Sequence, residues 1–467
     1  MSADLPDHAE LLIIGAGPGG YAAAFEAARL GLDVTLVNDE DQPGGVCLRR
    51  GCIPSKTLLH LTELTHAAEA AAAFGLRFEP PRIDLDTIRE QKNQVIAQLT
   101  GGVAQLCKQR GVRLIHARAR FEDGKHVGLS GAQPGRLAFD HAIIATGSRP
   151  TPLPGVEFGG RVMSSTEALD LPDIPETLLV IGAGYIGLEL GMVYQALGSR
   201  VSLIEMTDRL MPGADADLVK PLHQRVASLF EAIHLNASAD NLNASDDDVA
   251  VTLTSGDDTE QARFDRVLVA VGRQPNTDYL NLEATDAVVD AQGFIQIDDS
   301  RRTAAKNLYA IGDVAGGMLL AHEAMHEGKT AARAVAGRKA VFDARAVPAV
   351  VFTDPQIAWC GLTEPQAAAS SRNVKTLRFP WPASGRAVSM GAANGLTKLL
   401  ADADTGRVLG VGIVGAQAES LIAEGVLAIE MGASAEDMAQ SIHPHPTLAE
   451  TLGEAAELFL GQATHYG

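Results

Sequence analysis

Cysteine is scarce in this chain, with four in 467 residues, and that scarcity excludes a small secreted scaffold stapled by disulfides. No run of 18 apolar residues occurs, so no segment suits a transmembrane helix and no membrane insertion is expected. Basic residues are also in short supply: 38 Lys and Arg stand against 58 Asp and Glu, a formal charge of −20. Such a balance argues against nucleic acid and anionic membrane and suits a basic protein partner. A charged and apolar leader ending in small residues is missing ahead of the first apolar strand, Glu10 to Ile14, so the expected location is the reducing cytoplasm. There a cysteine pair is more naturally redox-active than structural. The length points to about three domains.

Two of the four cysteines fall together, in the stretch Gly44 to Lys56, GGVCLRRGCIPSK. In a regular helix, residues spaced as Cys47 and Cys52 are lie about 8 Å apart at Cα, outside the ~4.4 to 6.8 Å that a disulfide tolerates. Gly51 supplies the distortion needed to bring them closer. Pro54 suits a first helical turn, so Cys52 is expected near the amide-rich start of a helix, where a thiolate is stabilised. A working disulfide fits this pattern; a zinc half-site or a buried pair are the alternatives. Zinc would want a second cysteine pair, and Cys107 and Cys360 are isolated and read as core residues, so no metal site is expected.

A repeat is the second signal. Leu11 to Ile14 runs into Gly15-Ala16-Gly17-Pro18-Gly19-Gly20, and Leu178 to Ile181 runs into Gly182-Ala183-Gly184-Tyr185-Ile186-Gly187. Each G-x-G-x-x-G turn opens a helical stretch and is followed by a β-branched strand, Asp33 to Val37 and Arg200 to Ile204. That context makes a dinucleotide fingerprint of a pattern that alone could be a tight turn. Gly15, Gly17 and Gly20, like Gly182, Gly184 and Gly187, would let a pyrophosphate approach the backbone at a helix start. Glu205 ends the second strand of the second unit, where a carboxylate accepts from ribose hydroxyls and repels a 2′-phosphate; the plainer reading is an exposed turn acid. Asn38, with Asp39 beside it, holds the equivalent place in the first unit.

Further along, Thr303 to Asp313 (TAAKNLYAIGD) is an apolar strand that would deliver Asp313 to the hydroxyls of a bound cofactor. Ala145-Thr146-Gly147-Ser148 and Val271-Gly272-Arg273 close apolar strands and read as crossovers between domains. The polar interval Ala237 to Asp258 reads as a strand pair without chemistry. Near the end, Ser441 to Thr447 (SIHPHPT) is rigid, and Thr447 with Glu450 fits a capping box that starts a helix. Glu450 is therefore either a cap or the orienting carboxylate of a histidine base. A metal at His443 and His445 lacks further ligands nearby.

These motifs, with LLAHEAMHEG, stand in the order and spacing of a known family. From about Glu10 to Gly453 the chain resembles the flavin-dependent pyridine nucleotide disulfide oxidoreductases, and within them those that oxidise dihydrolipoamide. The resemblance implies an α/β fold of two Rossmann-like dinucleotide-binding domains plus a C-terminal α+β dimerisation domain. Residues 1–148 would bind FAD, 149–275 would bind NAD, 276–346 would return to the FAD site and 347–467 would form the interface of a homodimer. Cys47 would meet substrate and Cys52 would face the flavin, with Lys56 paired to Glu189 nearby. Tyr185 would gate the nicotinamide pocket, Asp313 would hold the flavin's ribityl chain, and Ala321 would face its ring through the backbone. Ala119, Thr146, Gly147, Ser148 and Gly272 would be among the residues lining the cofactors. His445 with Glu450 would be the acid–base pair, reaching the disulfide of the other subunit, and the His445-Pro446 bond is a candidate for cis.

On that resemblance, dihydrolipoamide on a lipoyl domain of a 2-oxo acid dehydrogenase or glycine-cleavage complex is reoxidised through Cys47 and Cys52 and FAD, with hydride passing to NAD. Asn38 in place of a ribose glutamate, Arg49 in place of Asn and Pro444 in place of Ala depart from the family pattern. Mercuric reductases carry a C-terminal cysteine pair, and no cysteine follows Cys360. Soluble transhydrogenases lack a counterpart to Cys47, and glutathione-type reductases place arginines where Glu205 stands. A non-catalytic flavoprotein scaffold is the competing class, and no residue favours it.

Overall fold

The strand His8–Ile14 is continuously apolar from Leu11 to Ile14 because both of its faces are covered there, as in parallel sheets generally. In the computed structural model, which describes residues 5–466, it lies between Val34–Asn38 and Gly135–Ile144, with Arg113–His116 outermost, and all four run parallel. The beginning of Gly135–Ile144 also joins an antiparallel excursion, His126–Ser130 and Arg118–Phe121. Its end pairs with Leu308–Ala310, so a distant stretch of chain completes the first sheet. Helix Pro18–Arg29, opening from the first glycine turn, packs on helix Ala321–Val335; a Cβ on Gly328 would meet the Gly19 carbonyl at 2.5 Å.

A second parallel sheet has the order Ala232–His234, Arg200–Ile204, Thr177–Ile181, Arg266–Val269, Val162–Met163. Beside it, the polar interval Ala237 to Asp258 forms the expected strand pair, Ala237–Ala244 and Val249–Ser255, and a third strand, Asp258–Phe264, follows it to complete a meander. The third strand, DTEQARF, was not legible because it is largely exposed and carries almost no apolar alternation. The two crossovers meet, since Ser148–Pro150 pairs antiparallel with Arg273–Pro275.

The C-terminal sheet is antiparallel, in the order Ala349–Val351, Gln356–Gly361, Val408–Gly415, Leu396–Asp402, Val374–Pro380, with helices Ala418–Met431 and Glu450–Leu460 against it. Its core holds Trp381, whose indole donates to Thr397 at 2.9 Å, so the buried N–H is satisfied. Lys398, fully buried, reaches across to the second unit. Its Nζ sits 2.6 Å from Asp215, 2.5 Å from Asp217 and 2.7 Å from Glu364. That carboxylate cluster is therefore filled by an ammonium. Among the described residues, no helix is long and apolar enough to cross a membrane.

Candidate active site

The two glycine turns are built alike. Gly15 and Gly182 share a φ of +104°, and a Cβ on either would meet a neighbouring carbonyl oxygen, at 2.3 and 2.5 Å. Gly20 and Gly187 pack so closely on those turns that a Cβ would lie 1.9 and 2.1 Å from the carbonyls of Gly15 and Gly182. The middle glycines differ: around Gly184 a Cβ would meet nothing within 4 Å, and around Gly17 only Gly45, at 3.9 Å. The outer glycines shape each turn, and the middle one leaves the approach that an extended pyrophosphate needs, at a helix start.

The first turn opens into a cavity of about 560 Å³. Short helix Gly45–Arg50 carries Cys47 to its wall, and helix Cys52–Ala70 begins at Cys52, with Pro54 in its first turn. Gly51 makes the break between them. Both thiols are free and line the cavity. The Cys47 thiol donates to Cys52, lowering Cys52 to about 7; burial opposes this and the Lys56 charge assists it. Cys47 moves the other way, raised by its bond to Cys52 and then by burial. A lowered and a raised thiol, side by side at the start of a helix, suit thiol–disulfide chemistry.

Lys56, one turn on from Cys52, donates to Glu189 at 2.8 Å and lies 4.5 Å from the Phe352 ring centre. Glu189 is buried on helix Tyr185–Ala196, and its other oxygen accepts from the Phe352 amide at 2.9 Å. One carboxylate thus ties the thiol helix to the second nucleotide unit and to the C-terminal domain. Tyr185 heads the same helix and borders the cavity, its phenol pushed up to about 12 by burial. Asp313 enters from the far side, in the turn Gly312–Ala315 after the strand Leu308–Ala310, which is shorter than the Thr303 to Asp313 strand expected. Its carboxylate accepts from the Ser148 hydroxyl. Thr146 and Gly147 are held by Asn276, and these residues, with Ala119 and the helix start at Ala321, complete the lining.

Asn38 also lines the cavity, yet both of its amide protons are engaged, by the carbonyls of Glu40 at 2.8 Å and Gln42 at 3.0 Å. A hydroxyl here would find only its carbonyl oxygen. Arg49 has partners in the same loop, Asp41 at 2.7 Å and Glu40 at 3.2 Å. At the second turn, Glu205 accepts from the Ala183 amide at 2.8 Å and from the Thr207 amide and hydroxyl, each at 2.9 Å. It braces the glycine turn and keeps lone pairs for a ribose. Gly272 has a φ of +133° and, with Gly182, Gly184 and Gly187, lies outside the cavity lining.

His445 and Glu450 also stand apart from that cavity within one chain. His445 is bonded through Nδ1 to Glu450 at 2.8 Å, and its side chain is 77% exposed. The other Glu450 oxygen accepts from the Thr447 amide at 2.7 Å. Burial raises the Glu450 acid, but the Thr447 amide and His445 outweigh it and leave the group lowered. Only half of the expected capping box forms, because the Thr447 hydroxyl donates to Pro444, and the helix starts at Glu450. The His445-Pro446 bond is cis. His443 is bonded to Glu424 at 2.8 Å, which raises it.

Sequence reasoning missed two groups. Arg273 was read only as part of a crossover, yet it lines the cavity and donates to the Ser148 hydroxyl and carbonyl, each at 2.7 Å. A cation just past a strand end was the one available signal. Glu424 gave none, since its partner lies on another element.

Residues 9–328 match the family model described as pyridine nucleotide-disulphide oxidoreductase, and residues 347–456 match that family's dimerisation domain. The chain is 42% identical to a dihydrolipoyl dehydrogenase of Vibrio cholerae, over 98% of this chain and 96% of that one. It is 45% identical to one of Haloferax volcanii, over 99% and 98%. Among solved structures, LpdA from Mycobacterium tuberculosis matches with a TM-score of 0.89 at 27% identity, covering 97% of this chain and 99% of that one. The HOCl-induced flavoprotein disulfide reductase RclA from Escherichia coli matches with a TM-score of 0.84 at 26% identity, over 96% and 99%.

Proposed function

Because the chain belongs to the pyridine nucleotide-disulphide oxidoreductase family, we propose that it oxidises dihydrolipoamide to lipoamide and delivers the electrons to NAD. The observation that carries this is one cavity bordered by a dinucleotide turn at Gly17, by the thiols of Cys47 and Cys52 and by Tyr185 of the second nucleotide unit. The open approach at Gly17 and the Asp313 carboxylate suit FAD there; Gly184 and Glu205 suit NAD at the second turn. Residues 1–148 serve FAD, 149–275 serve NAD, 276–346 return to the FAD site, and 347–467 form the interface of a homodimer. The cytoplasm is the proposed setting.

Substrate thiolate attacks Cys47 of the oxidised pair, and its second sulfur resolves the mixed disulfide, leaving a Cys47 thiol and a Cys52 thiolate. The substrate loses two electrons and two protons. His445 of the second subunit is the base, which explains its exposure within one chain, and Glu450 fixes its Nδ1 so that Nε2 faces outward. Lys56 and the Cys47 thiol hold the Cys52 charge. Bound FAD supplies the two-electron step between thiols and nicotinamide. NAD leaves with two electrons and one proton, and the other proton goes to solvent through His445. The substrate is then carried by a lipoyl domain of a 2-oxo acid dehydrogenase or glycine-cleavage complex. Steady-state turnover of the FAD-loaded protein with dihydrolipoamide and NAD tests the reading: NADH should form in proportion to enzyme. No NADH, with both nucleotides bound, contradicts it.

A further inference from the structure

Behind the Gly312–Asp313 turn lies a buried ion pair that the reaction above does not use. Glu327, on helix Ala321–Val335, is 4% exposed. One of its oxygens accepts from the Gly312 amide at 2.5 Å, and the other accepts from Arg301 at 2.8 Å. Both partners are held at a cost. Arg301 has a φ of +67°, a region that side chains disfavour, and its Nε is buried without a partner. Its guanidinium sits 4.7 Å from the Phe342 ring centre. Burial pushes the Glu327 acid up to about 7, against the pull of the Gly312 amide and Arg301.

A buried ion pair is weak as a source of stability, because removing two charges from water offsets their attraction. Its placement is more telling. Gly312, at a φ of +67°, cannot carry a side chain without pressing on Ala324, at 3.0 Å, so the turn packs directly on the helix that carries Glu327. Glu327 grips that amide one residue before Asp313, whose carboxylate faces the cavity. We propose that Glu327 is a positioning residue: held by Arg301, it fixes the Gly312 amide and thereby the direction in which Asp313 presents its carboxylate to bound FAD. This rests on the reading of Asp313 as an FAD ligand.

The test is FAD release from the holoenzyme, followed by flavin fluorescence on dilution, in a double-mutant cycle. A lost bond to a charged acceptor corresponds to about a tenfold loss of FAD affinity in Glu327→Ala. Glu327→Gln, which still accepts from the Gly312 amide, should restore most of it. In an Asp313→Ala background Glu327→Ala should weaken FAD no further, because groups acting through one another are not additive. Additive losses, or full affinity in Glu327→Ala while Asp313→Ala is weak, overturn the proposal and leave Asp313 as a ligand. Unchanged affinity in Asp313→Ala overturns both. Arg301→Met, expected to weaken FAD in the same non-additive way, decides the matter if Glu327→Ala does not fold.

Discussion

Glu450 holds His445 by Nδ1 at 2.8 Å with one oxygen and accepts the Thr447 amide at 2.7 Å with the other. One carboxylate thus ties the imidazole to the stretch of chain that leads into helix Glu450–Leu460. The bond to Nδ1 leaves Nε2 of His445 as the free nitrogen, on a side chain 77% exposed to whatever docks against it.

His445→Gln should therefore slow dihydrolipoamide oxidation by about 10² to 10⁴, the usual worth of a positioned base. NADH-to-dye transfer, which needs no base at the dithiol, should change little. Glu450→Ala should slow the dithiol reaction as well and lower stability by roughly 1 kcal/mol through the lost hydrogen bond from the Thr447 amide. Steady-state rates in both directions and a thermal melt separate these effects.

The thiol pair has a pH signature. Cys52 is lowered to about 7, first by the hydrogen bond from Cys47 and then with help from Lys56. In the reduced, FAD-free protein, thiolate ultraviolet absorbance should rise through about pH 7: below it Cys52 is protonated, above it charged. Cys47→Ala removes the donor, so the rise should move upward toward the ordinary thiol range. Cys47→Ser should keep part of the shift. An inflection unmoved by Cys47→Ala contradicts the coupling.

Cofactor choice should follow Glu205. Setting a 2′-phosphate beside its carboxylate costs about 1 kcal/mol in water and several where partly buried. A penalty of roughly 3 kcal/mol is about two decades in favour of NAD. Glu205→Ala should narrow the NAD to NADP ratio of kcat/KM by relieving repulsion. It should also loosen the turn at Ala183, raising KM for both nucleotides. A ratio unchanged in the variant makes Glu205 only a brace.

Lys398→Met would strand Asp215, Asp217 and Glu364 without the buried ammonium that joins them. Breaking such a cluster on one side costs about 3 to 5 kcal/mol, so Tm should fall clearly. Flavin content in the cold should be retained, because none of the four residues lines the cavity.

The features legible in the sequence are those whose parts are close along the chain. Gly15 to Gly20 and Gly182 to Gly187 carry their strand, turn and helix with them, and Cys47, Gly51 and Cys52 state their own geometry. Lys56 and Glu189 were reachable only through family resemblance, since nothing local to either residue names the other. Arg273 with Ser148 and Lys398 with its three acids join distant elements, and no local pattern marks them. Asn38 shows the limit in another way: its residue type suits a hydroxyl, but nothing local says that Glu40 and Gln42 take both of its protons and leave only its carbonyl oxygen to accept.

The central claim is that electrons pass from dihydrolipoamide to NAD through Cys47 and Cys52, and a thiol count tests it most directly. The chain has four cysteines, of which Cys107 and Cys360 are buried and apart from the pair. In oxidised FAD-loaded enzyme denatured with a thiol trap, only Cys107 and Cys360 should titrate. After anaerobic dihydrolipoamide all four should titrate, and after NAD the count should return to its starting value with NADH formed in equal amount. A count that dihydrolipoamide leaves unchanged while NADH still forms would contradict the claim.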